Sequence, residues 1–210
     1  MMKLLIVAAT KLEIEPYLEF IRSKPDTVDI LIGGVGMVAT SYELGKKLLS
    51  TKYDALLNVG IAGSFDPDLQ LGTVVRVKSD TFSELGAEDA NNFLSIDEMG
   101  FGNSAYHENA ALFMKYHSIS SLREVKGITV NTVHGNTNSI DTVSKRLKPE
   151  TESMEGAAVF YAAQREGISC IQVRSISNLV EKRNRSNWQV GLAIKNLNDW
   201  LISFDSEFFL

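Results

Sequence analysis

The sequence runs to 210 residues, 44% hydrophobic and 22% charged, with a formal net charge of −5 at pH 7. Ordinary charge and ample apolar content exclude a disordered chain and fit one large α/β domain over residues 1–210. The acidic balance leaves no broad basic surface for nucleic acid, and no apolar stretch is long enough to span a membrane.

In chain order, Lys3 and the apolar run 4–9 could open a signal peptide, but Thr10, Lys11 and Glu13 follow at once. The run is short for such a segment and suits a buried first strand at 3–8. A helical pattern follows at 14–22, a strand at 28–33 and a helix at 37–49. Apolar runs at 55–59, 73–78, 127–133 and 169–175 read as further strands. Residues 83–109, rich in Gly, Asn, Ser and acids, read as an irregular excursion, and a loop of that length is functional or mobile. Helical patterns return at 154–164 and 187–204; in the latter, Trp188, Leu192, Leu197, Trp200 and Leu201 can share one apolar face. Strands interleaved with helices imply a βαβ architecture with a largely parallel or mixed sheet, which holds ligands at its C-terminal strand ends. Cys170, the single cysteine, falls in the apolar run 168–176 and reads as a buried structural thiol. A lone cysteine forms no internal disulfide, which suits a reducing cytoplasm.

Candidate chemistry gathers at strand ends, each time beside a structural alternative. Gly34-Val-Gly36-Met-Val-Ala39 has the G-x-G-x-x-A form of a dinucleotide fingerprint. It follows the second strand, however, and Asp54, the acid about twenty residues on, precedes its apolar run instead of ending the strand. A tight strand-to-helix turn is the better reading. In Asn58-Val-Gly-Ile-Ala-Gly-Ser64, glycines let the backbone around Ile61, Ala62 and Gly63 approach a ligand closely, or merely serve a turn. Glu13 and Glu15 flank the start of the first helix, with Pro16 in its first turn. Glu152-Ser153-Met154-Glu155-Gly156 opens a later helix, with Ser153 as a candidate N-cap and Met154 as candidate core. Acids at helix starts suit the dipole without any function. Two carboxylates at two loop-to-helix junctions point more strongly to a site together than either does alone. Arg174-Ser-Ile-Ser-Asn178 runs into Glu181, Lys182, Arg183, Asn184 and Arg185, which form either a charged surface loop or an anion contact. His107, His117 and His134 lack metal-ligand spacing, and neither a nucleophile elbow nor a P-loop is present.

Taken together, LLIVAATKLE, GGVGMVAT, NVGIAGSFDPDLQLGTVV, ESMEGAAVFYAA and VRSISN, in this order, resemble the methylthioadenosine/S-adenosylhomocysteine nucleosidases and purine nucleoside phosphorylases. The resemblance extends from residue 3 to about residue 200. Within that superfamily, LGAED (85–89), ESMEGAAVFY (152–161) and SISNLVEKRNR (175–185) look most like the futalosine hydrolases of menaquinone biosynthesis. Those enzymes remove hypoxanthine from a nucleoside carrying a carboxylated aromatic group. The resemblance implies a three-layer α/β/α sandwich with a mixed, largely parallel central sheet. It also implies no metal or other cofactor, a small nucleoside substrate, and a homodimer or higher homo-oligomer. By the same resemblance, Glu13 activates water, Met154 lies against the ribose, Glu155 binds the ribose hydroxyls and Asn178 faces the purine. Ile61, Ala62 and Gly63 would bring backbone to the substrate, and Arg183 and Arg185 are candidates for its carboxylate.

The chain departs from the pattern in two places. Methylthioadenosine nucleosidases have Asp where Asn178 stands. An amide is a poor general acid, but it accepts from a protonated N7 while donating to an O6 carbonyl, which suits hypoxanthine or guanine over adenine. Phosphorylases of this kind hold phosphate with Arg and Ser at the places of Asn58 and Ile61, so water is the expected nucleophile. The expectation is a hydrolase of a 6-oxopurine nucleoside, most closely futalosine. Its rivals are a methylthioadenosine nucleosidase, a phosphate-dependent phosphorylase and a catalytically silent nucleoside-binding protein.

Overall fold

The first strand, β1 (Leu4–Ala8), buries all five of its residues. Leu4, Ile6 and Ala8 join a core with Ile14 and Tyr17 of α1 (Lys11–Ile21) and Leu197, Leu201 and Phe204 of α6 (Val190–Phe208). Leu5 and Val7 face the other way, onto Leu44 of α2 (Met37–Ser50) and Val159, Phe160 and Ala163 of α5 (Gly156–Glu166). A run that is apolar at every position is what a strand covered on both faces requires. The computed structural model describes residues 2–22, 24, 28–90 and 92–209; Asn91 of the expected excursion lies outside the described residues.

The sheet is mixed and largely parallel, as expected. β2 (Asp29–Ile32) and β3 (Ala55–Ser64) flank β1 in parallel, and β10 (Ser169–Leu179) runs parallel along the far side of β3. β4 (Val74–Phe82) is antiparallel to β10 and parallel to β8 (Arg123–Thr129), which in turn pairs in parallel with β9 (Thr151–Ser153). β9 then returns to β3, antiparallel, at Gly63 and Ser64. The strands β3, β10, β4, β8 and β9 therefore close on themselves, and β1 and β2 extend from β3. Strand β3 makes the closure possible by its length. Ala55 to Asn58 pair with β1, and the last two residues, beyond the reach of β1, take β9 instead.

Several elements differ from the sequence expectation for identifiable reasons. Both β3 and β10 run past their apolar stretches into the polar and glycine-rich residues that follow, because each remains bonded to the other up to Ser64 and Leu179. The excursion is partly ordered: β5 (Gly86–Asp89) and β6 (Asn92–Ser95) pair with each other, and β7 (Ala105–His107) adds to β4. Besides the short α3 (His117–Ser120), the unexpected helix is α4 (Thr137–Leu147). Its apolar stripe is short, Ile140, Val143 and Leu147 with only Val143 buried, and Asn136 caps it by accepting from the amides of Asn138 and Ser139. In α6 the buried face is Ala193, Leu197, Leu201 and Phe204; Leu192 is 41% exposed and Trp188 precedes the helix. Ser153 is not an N-cap, because pairing with β8 extends β9 through it, and Glu155 occupies the N-cap position of α5. Cys170 is buried and free, as expected.

Candidate active site

A cavity of about 270 Å³ opens at the C-terminal ends of β1, β3 and β10, where β3 changes partner. It draws together Glu13, Ile61, Ala62, Gly63, Met154, Glu155 and Asn178 from segments far apart in the chain. Arg183 and Arg185 are not among the residues lining it. They are exposed, with guanidinium carbons 5.1 and 6.0 Å from the centroid of Trp188, which does line the cavity.

Glu13 caps a helix and lines the cavity at once. As the third residue of α1 it completes a capping box, its Oε2 accepting from the amide and the hydroxyl of Thr10 at 2.9 Å each. Its Oε1 accepts from the amide of Ile61 at 3.2 Å, which ties the carboxylate to the end of β3. Gly60 leaves the room for this: a Cβ there would stand 2.9 Å from Glu13 Oε1 and 3.4 Å from Arg174 Nη1.

Glu155 is held from the opposite side, its Oε1 accepting from the amide of Gly36 at 2.8 Å. The G-x-G-x-x-A segment is thus the tight turn expected. Gly34 and Gly36 take φ of +85° and +91°, and the turn delivers a backbone donor to a carboxylate. Burial raises the pKa of Glu155, while the Gly36 amide and the Arg174 charge counteract the rise and Glu13 adds to it.

Arg174 is the residue whose role the sequence concealed. It reads as part of a strand end that runs into a charged loop, yet its side chain is fully buried, donating from Nη1 to the Val173 carbonyl at 3.2 Å and from Nη2 to Asn58 Oδ1. Burial lowers its pKa, and the carboxylates of Glu155, Glu13 and Asp80 oppose that shift. A buried guanidinium therefore stands behind both cavity carboxylates. Asp80 accepts from Thr129 Oγ1 at 2.8 Å and Gln172 Nε2 at 3.0 Å, and burial pushes its pKa up to about 6. Gly156 is obligatory here, because a Cβ would meet Asp80 Oδ2 and Gln172 Oε1 at 2.2 Å. This packing fixes the start of α5 and with it Glu155.

Asn178 sits just after a register shift in β10. Its Oδ1 accepts from Ser177 Oγ at 2.8 Å, and its Nδ2 donates to the Leu179 carbonyl at 2.9 Å. These bonds set which end of the amide is oxygen and leave each end a further lone pair or N–H. The sequence reading also passed over His134 and Glu152, both of which line the cavity and are bonded to each other. Their signal was weak because neither lies at metal-ligand spacing and Glu152 reads as an ordinary helix-start acid. Among the described residues no group of three or more His, Cys, Asp or Glu is placed to hold a metal ion.

The family model of the phosphorylase superfamily matches residues 18–202. A futalosine hydrolase of Streptomyces coelicolor is 31% identical over 83% of this chain and 77% of its own length. A solved futalosine hydrolase mutant of Helicobacter pylori superposes with a TM-score of 0.83 at 18% identity, covering 99% of this chain and 100% of that one. A 5′-methylthioadenosine/S-adenosylhomocysteine nucleosidase of the same organism, solved with butyl-thio-DADMe-Immucillin-A, gives the same TM-score and identity over 99% of both chains.

Proposed function

The chain belongs to the phosphorylase superfamily, and from that membership we propose the chemistry of its cavity. It is an N-glycosyl hydrolase that acts on a 6-oxopurine nucleoside, futalosine, releasing hypoxanthine and dehypoxanthine futalosine, a step of menaquinone biosynthesis. The observation that carries the assignment of roles is that Glu13, Glu155 and Asn178 share one cavity, with the buried Arg174 behind the two carboxylates.

Breaking the bond between C1′ and the purine nitrogen leaves positive charge on the ribose. Glu155 accepts from the 2′- and 3′-hydroxyls and offsets that charge, with Met154 against the sugar. Glu13 directs a water to C1′ and takes its proton. The bonding electrons leave with the base, which takes a proton at N7 from solvent and is held there by Asn178, while Glu13 returns the proton of the attacking water to solvent. Ile61, Ala62 and Gly63 supply the backbone wall. Water is the nucleophile in this scheme because Asn58 is already bonded to the Val7 carbonyl and Arg174, and the Ile61 amide to Glu13.

Two further readings belong with this proposal. The chain forms a homo-oligomer through the face around a cleft of about 1120 Å³, where Val38, Tyr42 and Phe101 are 78%, 66% and 77% exposed. It works in the cytoplasm as one domain over residues 1–210, with the pairs α1/α6 and α2/α5 as the outer layers of a three-layer arrangement. The deciding assay is incubation with futalosine, inosine and methylthioadenosine in phosphate-free buffer, identifying both products. Free base and free sugar from futalosine are expected. A sugar 1-phosphate, formed only after phosphate is added, would make it a phosphorylase. Faster release of adenine from methylthioadenosine would make it a nucleosidase of that class, and binding without turnover would make it a sensor.

A further inference from the structure

Two cavity groups have no part in this scheme. Glu152 is 4% exposed, and both its oxygens are bonded to one residue: the His134 amide donates to Oε1 at 2.9 Å, and His134 Nδ1 lies 2.6 Å from Oε2. The sheet register gives this pair a specific place. Gly63 of β3 is matched with Asn178 on β10 and with Glu152 on β9. Residues in register on neighbouring strands project to the same face, and two strand spacings separate their Cα atoms by about 10 Å. Asn178 and Glu152 therefore flank a bare glycine floor from opposite sides. The amide already leans over that floor, since a Cβ on Gly63 would stand 3.2 Å from Asn178 Nδ2. The result is a slot with an amide on one wall and a carboxylate on the other, all three residues lining one cavity, with Val180 packed beside Asn178 where its Cγ2 would stand 2.9 Å from a Cβ on Gly63.

We infer that Glu152 is a second base-reading residue: oriented by His134, it accepts the N1–H of a 6-oxopurine whose five-membered-ring edge faces Asn178. The inference rests on the purine-nucleoside reading given above. Its chemistry is a matter of donors and acceptors. N1 of hypoxanthine carries a hydrogen, whereas N1 of adenine is a bare acceptor. An ionised carboxylate offers lone pairs only, and each oxygen of Glu152 keeps one after bonding to His134. Hypoxanthine thus pairs at this wall, while adenine sets two acceptors against each other in a buried place. His134 is a positioning residue, since its two bonds fix both carboxylate oxygens and it acts on the base through them.

Free-base binding tests this apart from hydrolysis. Hypoxanthine, 1-methylhypoxanthine and adenine are titrated calorimetrically into the wild type, Glu152→Gln and His134→Gln, and futalosine turnover is followed separately. The wild type is expected to bind hypoxanthine about tenfold or more tightly than the other two bases. Glu152→Gln should weaken hypoxanthine by about tenfold and leave adenine unchanged or tighter, because its amide can donate to a bare N1. His134→Gln should reduce the hypoxanthine preference in the same direction. Equal wild-type affinity for hypoxanthine and 1-methylhypoxanthine overturns the inference without any variant. A uniform loss for all three bases in folded Glu152→Gln also overturns it, leaving Glu152 as a tie between β9 and the segment around His134. Intact discrimination with no base released from futalosine would instead sink the hydrolase reading and leave the role of Glu152 standing.

Discussion

The backbone amide of Gly36 donates to Glu155 Oε1 at 2.8 Å across 119 residues of chain. The bond gives a glycine motif that resembles a dinucleotide fingerprint a different task, that of aiming a carboxylate. Gly36 holds φ +91° and ψ 154°, a region open in practice to glycine alone. Gly36→Ala should cost about 1–3 kcal/mol of stability through backbone strain. It should also raise KM for futalosine, because the turn relieves that strain by shifting and carries the amide that aims Glu155 out of line. A normal KM in the folded variant would show that Glu155 is positioned by its packing on α5 alone.

Glu13 caps α1 and, in the proposed scheme, activates water, so Glu13→Gln should show two effects. Loss of the general base should lower turnover by about 10²–10⁴-fold with nucleoside binding largely kept. The amide also sets an NH2 against either the Thr10 or the Ile61 donor, which should cost about 1 kcal/mol and lower Tm by about 2–4 °C. Differential scanning calorimetry and single-turnover kinetics separate the two. Near-normal turnover would remove Glu13 from the mechanism whatever happens to Tm.

Burial raises the pKa of Glu155, against the Gly36 amide and Arg174, so its carboxylate protonates above the ordinary carboxylate range. The ionised form is the one that stabilises a ribosyl cation. Activity carried by Glu155 is therefore present above the raised pKa and lost as pH falls through it. The acid limb of kcat/KM should lie above the ordinary glutamate value, and Glu155→Gln should flatten that limb while weakening both binding and turnover. An unchanged acid limb in the variant would assign it to another group.

Much of this arrangement was legible in the sequence because it rests on local chemistry. The apolar runs placed β1, β3 and β10, and the loop-to-helix acids marked Glu13 and Glu155. Closure of the sheet was hidden, because it depends on three polar residues of β9 that bond to strands distant in sequence. Arg174 was misleading for a related reason. A charge next to a polar loop reads as exposed, and only the assembled site supplies the three carboxylates that let it stay buried. The pairing of His134 with Glu152 joins residues 18 apart and leaves no periodic trace.

Arg183 and Arg185 stand over Trp188 at the rim, exposed and outside the cavity lining. That is a reasonable place to meet the carboxylate on the arm of futalosine without touching the ribose or base. Arg183→Ala or Arg185→Ala should raise KM for futalosine more than for inosine, by about two- to tenfold for a solvent-exposed contact. Equal effects on both substrates would leave the two arginines as partners of Trp188 only.

Asn178 should set the preference for 6-oxopurines, and its bonds state how. Ser177 Oγ donates to Oδ1, and Nδ2 donates to the Leu179 carbonyl, so exchanging the two ends of the amide would set its oxygen against that carbonyl. One lone pair and one N–H remain for the base, matching a protonated N7 and an O6 carbonyl. An adenine amino group would meet the amide NH2, leaving a buried donor unpaired at a cost of about 1–3 kcal/mol, or roughly ten- to over a hundredfold in kcat/KM. Asn178→Asp should narrow that preference by accepting from the amino group. The structure adds a cost of its own, since one carboxylate oxygen would then face the Leu179 carbonyl where Nδ2 now lies 2.9 Å away. That clash of acceptors should lower stability by about 1–3 kcal/mol when the new carboxyl is ionised. The loss should diminish as pH falls, because a protonated carboxyl can donate to the carbonyl. Matched 6-oxo and 6-amino nucleosides assayed in both proteins, with Tm measured across pH, test the two halves together. If the wild type cleaves the adenine nucleoside as well as its hypoxanthine counterpart, Asn178 does not read the base, and a methylthioadenosine nucleosidase becomes the better account of this cavity.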